Sequence, residues 1–218
     1  MRASKIFGGA DGVIFDMDGV LCDSQPFHFE SDARTLAIFG AVADAAGVAA
    51  YAGMASENRW NKFIADFGLA ASPADLIAAH DRIKAEMLER VIFEPTRGSR
   101  ELIAALREDG ARLALASSSS YSFIGRMLEN IGLAGAFDAV ISGEGLTRGK
   151  PFPDIFLLAA GRIGVPPERC AVVEDSANGV RAAKSAGMFC VGYQNPTSGA
   201  QDLSAADIIV KDFMELIR

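Results

Sequence analysis

Short apolar runs alternate with segments of helical spacing from Arg97 to the end of the chain, and this alternation limits the possible folds. Strands inside a parallel sheet are almost entirely apolar, and helices usually connect them. The pattern therefore predicts an α/β fold with a parallel sheet. The predicted strands are 112–116, 139–141, 170–173, 189–191 and 208–210, together with an earlier run at 13–15. The predicted helices between them are 101–108, 121–130, 155–161 and 177–186.

The segment 25–94 shows a different pattern, with helical spacing and no convincing strand. Its clearest helix begins at Ser72, which is followed by Pro73 and, three residues after the serine, by Asp75. Serine is a good N-cap, and proline is favoured in the first turn. We therefore predict an α/β core formed by residues 1–24 and 95–218, interrupted by a helical insertion at 25–94.

Charge and composition exclude several classes of partner. The net charge is −7, the pI is near 4.9 and no basic tract is present, which argues against nucleic acid. No apolar run approaches the ~20 residues needed to span a bilayer, so no membrane is expected. The cysteines are odd in number, widely spaced and flanked by apolar residues. They are typical of buried thiols, and we predict a cytoplasmic protein.

Polar residues that could carry chemistry follow the ends of the predicted strands. Ligands of open α/β sheets bind at the carboxyl ends of the strands, so these residues are expected to meet. One lysine would then face up to four carboxylates, and Mg²⁺ would offset their repulsion with the oxygen ligands it prefers. The residues are Asp16, Asp18, Ser117–Ser119, Lys150, Glu174 and Asp175.

Each of these residues also has an ordinary structural interpretation. Asp16–Gly19 could be a solvated turn, Ser117–Ser119 a helix cap, and Lys150-Pro151 a solvated turn. Glu174 and Asp175 could be solvated acids in the first turn of a helix. Their joint appearance at successive strand ends favours one common site.

The same residues resemble the four motifs of the haloacid dehalogenase superfamily, in its phosphatase branch with a helical cap. Asp16-Met17-Asp18-Gly19-Val20 resembles the first motif, Ser117 the second, Lys150 the third, and Glu174-Asp175 the fourth. The resemblance extends over nearly the whole chain. It implies a Rossmann-like core with an α-helical cap domain inserted after the first motif, where the helical segment lies.

The resemblance also implies roles for these residues. Asp16 would be the nucleophile that forms an aspartyl-phosphate, and Asp18 would be the general acid and base. Mg²⁺ would be the cofactor, and the substrate would be a small phosphorylated metabolite. The implied Mg²⁺ ligands are Asp16, the backbone carbonyl of Asp18, Glu174 and Asp175. The implied phosphate-binding groups are Ser117, the Ser118 backbone amide and Lys150.

Other functional classes fit less well. Dehalogenase relatives lack the acid at Asp18, because halide leaves without a proton. Phosphonate-cleaving relatives use a cap lysine, and no motif supports Lys62 or Lys84 in that role. Receiver domains of signalling proteins carry their acid pair before the phosphorylated aspartate, which is the reverse of the order here. A binding module without turnover remains an alternative.

Within the superfamily, residues 23–29 resemble the β-phosphoglucomutase-like subgroup. His28 would lie near the hinge and help to position Asp18, or it would be a helix-surface residue. Mutases of this kind carry a cap arginine where this chain has Ser56, and Lys-Asn where it has Ser120-Tyr121. Without that cationic grip on a distal phosphate, we predict a phosphatase acting on a sugar-phosphate-like substrate. A phosphosugar mutase is the alternative.

The cap loop 53–60 is the predicted source of substrate specificity. Arg59 and Trp60 could contact the leaving group. Alternatively, Arg59 could pair with Glu57 or Asp66, and Trp60 could pack in the interior. We expect a monomer or a weak homo-oligomer.

Overall fold

The computed structural model describes residues 6–44, 47–48, 51 and 56–217, with only the backbone described for 56–58. The chain divides into two compact units. One comprises Met1–Asp23 and Phe93–Arg218, and the other comprises Ser24–Ile92.

The first unit is an α/β domain built on a parallel sheet. Six strands form it within the described residues, in the order β3-β2-β1-β4-β5-β6. The strand β1 is buried at every residue and lies between β2 and β4, with Gly12 opposite both Arg112 and Cys170. The strands are β1 (Gly12–Phe15), β2 (Arg112–Ser117), β3 (Ala139–Ser142), β4 (Cys170–Glu174), β5 (Phe189–Tyr193) and β6 (Ile208–Val210).

Amphipathic helices cover this sheet. Ile155, Phe156 and Ala159 recur at helical spacing along one face of their helix and are buried in the same apolar cluster as Ile14 and Val172. This packing fixes the strand ends relative to the helix N-termini. Helices are numbered in chain order through both units, and those of this unit, among the described residues, are α4 (Ser99–Glu108), α5 (Tyr121–Asn130), α6 (Asp154–Ile163) and α7 (Ala177–Ser185).

The second unit, in the part that the structure describes, is helical. Its core contains the fully buried side chains of Leu36, Trp60, Phe63 and Leu76. The third helix begins with the capping box expected from the sequence: the Ser72 hydroxyl accepts from the Asp75 amide, and the Asp75 carboxylate accepts from the Ser72 amide. The helices are α1 (Gln25–Ile38), α2 (Ser56–Phe67) and α3 (Pro73–Leu88).

The predicted fold class is confirmed: a Rossmann-like parallel sheet with an inserted helical cap domain. None of the described helices combines the length and the apolar character needed to cross a bilayer. The three cysteines are buried and free of disulfides.

Candidate active site

Asp16 directly follows the central strand, and its backbone amide still donates to Val173 O at 3.0 Å. The chain then turns sharply, because the amides of Val20 and Leu21 both donate to Met17 O. The turn requires glycine at position 19, where φ is +82° and a Cβ would collide with the Asp175 carboxylate. Asp16 is buried. It is therefore not part of a solvated turn.

Lys150 bridges the first and fourth strand ends. Its Nζ lies 2.5 Å from Asp16 Oδ1 and 2.5 Å from Glu174 Oε1. Burial of this ammonium lowers its pKa, but Asp16 and Glu174 outweigh that effect and hold the Lys150 pKa above its ordinary value. The charged form of Lys150 is therefore favoured, and with only 9% of its side chain exposed it is not a solvated turn residue.

The acid pair lies between strand β4 and helix α7. Glu174 Oε2 accepts from both the amide and the hydroxyl of Ser176, at 2.8 and 2.9 Å. The Ser176 hydroxyl also accepts from the Gly179 amide and so caps α7. Asp175 accepts a hydrogen bond from Ser198. Both acids are buried, which excludes the solvated alternative.

The serines after β2 face Asp18. The Ser117 and Ser119 hydroxyls both donate to Asp18 Oδ2, at 3.2 and 2.9 Å. Ser120, the next residue, is the N-cap of α5. Ser117 and Ser119 are thus not the helix cap, and their hydroxyls are turned to the candidate site. Ser118 is exposed at the strand end.

Negative charge exceeds positive charge in this cluster. Burial raises the Asp16 pKa well above its ordinary value; Lys150 opposes that shift, and Glu174 and Asp175 add to it. Burial, followed by the charge of Glu174, raises the pKa of Asp175 to about 8. Such an environment favours a proton or a cation beside these acids.

The donors fit Mg²⁺ better than a softer metal. Across the described residues, no three His, Cys, Asp or Glu side chains form a ready-made metal cage. Mg²⁺ does not need one, since it usually binds one or two carboxylates and fills its shell with water and substrate phosphate. Asp16 and Asp175, both buried oxygen donors beside the Gly19 turn, meet that requirement.

Comparison with known proteins identifies the family. The family model described as "haloacid dehalogenase-like hydrolase" matches residues 10–187. The chain belongs to the haloacid dehalogenase-like hydrolase family. It is an enzyme of that family, as its motifs predicted.

Similar members of this hydrolase family include both phosphatases and mutases. The chain is 32% identical to fructose-1-phosphate phosphatase YqaB of Escherichia coli, over 83% of this chain and 94% of that protein. It is 30% identical to β-phosphoglucomutase of Bacillus subtilis, over 94% and 90%. The crystal structure of CbbY from Rhodobacter sphaeroides with phosphate superposes with a TM-score of 0.83 at 27% identity, covering 95% of this chain and 96% of that one. Phosphatases of the family generally use Mg²⁺.

A fifth strand end contributes residues that the sequence analysis of this hydrolase missed. In the loop after β5, Asn195 Nδ2 donates to Gly19 O at 3.0 Å and Thr197 Oγ1 donates to Asp23 Oδ1 at 2.7 Å. Ser198, in the same loop, donates to Asp175. The available signal was a mostly polar run at 194–198, shortly after the predicted strand 189–191.

The candidate cap residues have diverse surroundings. His28 is half-buried on α1. Arg59 NH1 lies 3.3 Å from Asp32 Oδ2, a partner that the sequence did not suggest. Trp60 is fully buried against Phe63 and His80, which matches the packing alternative. The side chain of Ser56 lies outside the described residues.

Proposed function

We propose that this chain is a Mg²⁺-dependent phosphatase that hydrolyses a small phosphorylated metabolite, of the sugar-phosphate kind, through an aspartyl-phosphate on Asp16. One observation carries the proposal: a buried aspartate follows the central strand, beside a lysine whose side chain is only 9% exposed, and a second carboxylate two residues later is held by hydroxyls. This arrangement supplies a nucleophile and a separate acid and base.

In the first half-reaction, an oxygen of the Asp16 carboxylate attacks phosphorus in line. The P–O bond of the ester breaks, its electron pair passes to the leaving oxygen, and the Asp18 carboxyl gives that oxygen a proton. Lys150 offsets the charge of the nucleophile and the phosphoryl group. Ser117 and the Ser118 amide bind the transferring oxygens. The products are an alcohol and the aspartyl-phosphate.

In the second half-reaction, water attacks the phosphorus of the aspartyl-phosphate. The Asp18 carboxylate accepts a proton from this water, and the bond between phosphorus and the Asp16 oxygen breaks. Phosphate leaves, Asp16 is again a carboxylate and Asp18 is again protonated. The two steps together consume one ester and one water and release one alcohol and one phosphate.

Mg²⁺ would be held here by the Asp16 carboxylate, the Asp18 backbone carbonyl and the Asp175 carboxylate, with Glu174 alongside. When bound, Mg²⁺ supplies positive charge that reduces the repulsion between a carboxylate and a phosphate dianion. Glu174 is already engaged by Lys150 and Ser176, so its main contribution is to hold the lysine in place.

Hydrolysis is favoured over a mutase reaction by the residues that follow Ser119. A mutase must hold the far phosphate of a bisphosphate while the intermediate turns round, which calls for cations. Here Ser120 is the N-cap of α5, and the Tyr121 amide donates to the Glu144 carboxylate at 3.3 Å. This segment therefore carries an acid beside it and lacks the cations that would favour binding of a second phosphate.

The proposal is tested by phosphate release from a panel of small phosphate esters that includes fructose 1-phosphate, with Mg²⁺ and with a chelator. We expect Mg²⁺-dependent release, and a loss of at least about a thousandfold in Asp16→Asn, because the amide is a poor nucleophile. Asp11→Asn, at the opposite end of the same strand and paired on the surface with Arg169, is the matched control and should keep wild-type activity. Metal-independent turnover, or an active Asp16→Asn protein, would refute the mechanism.

The mutase alternative is favoured by the similarity to β-phosphoglucomutase of Bacillus subtilis and has its own test. Incubation with β-glucose 1-phosphate should form no glucose 6-phosphate if the phosphatase proposal holds. Formation of glucose 6-phosphate without phosphate release would instead favour the mutase.

A further inference from the structure

We propose that Ser119 and Ser142 are positioning residues for Asp18: the Ser142 hydroxyl holds the Ser119 backbone, the Ser119 hydroxyl holds Asp18, and together they aim the acid at the leaving group. This inference rests on the proposed function and deepens it. It gives a role to two serines that have none in the two half-reactions.

One of these contacts is between Ser119 and Asp18. Asp18 lies three residues beyond the end of β1, and its backbone forms an isolated β-bridge with Cys22. Its Oδ2 receives the Ser119 hydroxyl at 2.9 Å and the Ser117 hydroxyl at 3.2 Å. Hydrogen bonds to a carboxylate are among the stronger ones in proteins, so they restrain the direction of this side chain.

The Ser117 and Ser119 hydroxyls have different roles during the reaction. Ser117 is the proposed phosphate ligand, so its hydroxyl turns to the phosphoryl oxygens when substrate binds. Its oxygen also accepts from the Ser119 amide at 3.1 Å, which ties the two serines together. Ser119 is then the hydroxyl that keeps Asp18 aimed while Ser117 is occupied.

Ser142 holds the backbone of Ser119 from the next strand. It ends β3, opposite Ser117, and is buried. Its hydroxyl donates to Ser119 O at 2.6 Å and accepts from the Glu144 amide at 3.0 Å. A Cβ at Gly143 would come within 3.0 Å of Ser118 Cα, so glycine at that position allows the two loops to lie this close. The three strand ends are thus linked in the order β3, β2, β1.

A residue that positions the general acid can be recognised by how its loss affects esters with different leaving groups. An acid matters most when the leaving oxygen is basic, and it matters little when the leaving group is already stable as an anion. A residue that acts only through Asp18 should therefore affect esters of basic alcohols selectively. A residue that maintains the fold or binds the phosphoryl group should affect all esters alike.

The experiment compares kcat/KM for phenyl phosphate and 4-nitrophenyl phosphate, two esters of similar shape whose leaving groups differ in basicity. The value of kcat/KM reports the steps up to and including departure of the leaving group. Because general acid catalysis contributes roughly 10²–10⁴-fold, Ser119→Ala should slow phenyl phosphate about tenfold and 4-nitrophenyl phosphate less than about twofold. Ser142→Ala should show the same contrast more weakly, and Ser119→Thr, which keeps the hydroxyl, should restore the wild-type ratio.

Ser122→Ala is the matched control, since this hydroxyl lies three residues away and pairs with Ser120. It should leave both rates unchanged. In an Asp18→Asn background, Ser119→Ala should add no further loss on phenyl phosphate, because the residue through which it acts is gone.

Equal losses on the two esters, no loss, or a full extra loss in the Asp18→Asn background would overturn the inference while leaving the phosphatase proposal intact. A wild-type protein that releases phosphate from neither ester nor any member of the metabolite panel would defeat the proposed function, and the inference with it. Thermal melts of each variant identify any that fail to fold. If Ser119→Ala is one of them, Ser142→Ala provides the contrast.

Discussion

At the residue scale, the geometry of the candidate site depends on glycine, whose lack of a side chain allows close approach. Gly179 lies in the first turn of α7, and a Cβ at this position would overlap the Glu174 carboxylate. The missing side chain lets the helix approach the acid closely enough for Ser176 to bind both the Gly179 amide and Glu174. Glu174 in turn holds Lys150 against Asp16.

Gly179→Ala should therefore lower both stability and activity. Displacing the Glu174 carboxylate costs about 1–3 kcal/mol, in the range of overpacked interiors, and disturbs the Lys150 bridge. Gly161→Ala in α6 is the control, because a Cβ at position 161 meets nothing within 4 Å. It should stabilise the protein by about 0.5–1 kcal/mol. Denaturant melts and kcat/KM measure both effects, and a Gly179→Ala protein as stable and active as the wild type would contradict the assignment.

The sequence revealed the charged residues of the site and the run Ser117–Ser119, and it missed Ser142 and Ser198. Asp16, Lys150 and Glu174 stand out because charged side chains beside apolar strands need partners. Ser142 and Ser198 do not stand out in the same way, since serine is common in loops and its hydrogen-bond partner depends on three-dimensional approach. Pairing between β1 and β2 brings Ser119 to Asp18, and sequence spacing does not express that contact.

At the element scale, three helices of the second unit meet around a buried polar cluster. Asp32 on α1 lies 3.3 Å from Arg59 NH1 on α2, and 3.2 Å from His80 Nε2 on α3. The Ser31 hydroxyl lies 3.1 Å from the same nitrogen of His80. Burial lowers the pKa of His80; Asp32 opposes this shift, while Lys84 and Arg59 add to it.

The lowered pKa of His80 sets a pH window for stability. The fold favours the neutral ring, whereas the unfolded chain takes up a proton near its ordinary pKa of about 6.5. The stability that the fold gains with a neutral His80 ring is therefore present above that pH and is lost as the pH falls below it. We expect the wild type to lose more stability than His80→Gln between about pH 7.5 and about pH 5.5.

The fluorescence of Trp60, the one tryptophan of the sequence, reports this transition from beside His80. Arg34→Gln, which breaks an exposed pair with Glu30 on α1, serves as the control. It should lower the free energy of unfolding by the same amount at both pH values. Identical pH dependence in wild type and His80→Gln would exclude the role assigned to His80.

Element types were predictable where one physical rule dominated. Apolar runs located the strands, and the observed strands differ mainly at their carboxyl ends, where β2 and β4 extend into Ser117 and Glu174. These polar residues still pair with neighbouring strands, so the sheet overrides their local preference. The Arg59–Asp32 contact was not predictable, because it depends on how three helices pack.

At the scale of the whole molecule, the acidic charge is not spread evenly over the surface. Part of it is buried in the α/β unit, where Asp16 and Asp175 both have raised pKa values. A carboxyl with a raised pKa binds more protons in the folded state than in the unfolded state. Stability of the metal-free protein therefore falls as pH rises from the ordinary range of these groups towards about 8.

Mg²⁺ should reverse this trend. The metal replaces protons at these carboxylates, so the increase in Tm on adding Mg²⁺ should be larger at about pH 8 than at about pH 6. Thermal melts in chelator and in Mg²⁺, at matched ionic strength, measure the difference. Asp175→Asn should abolish most of the Mg²⁺ response. An equal response in that variant would place the metal elsewhere.

The position of β1 in the sheet has a consequence for how the protein is made. This strand precedes both of its neighbours in the chain, which begin at Arg112 and Cys170. During translation it must wait, unpaired and apolar, until the ribosome has delivered these two later strands. Asp16 is thus made well before the residues that surround it in the folded protein.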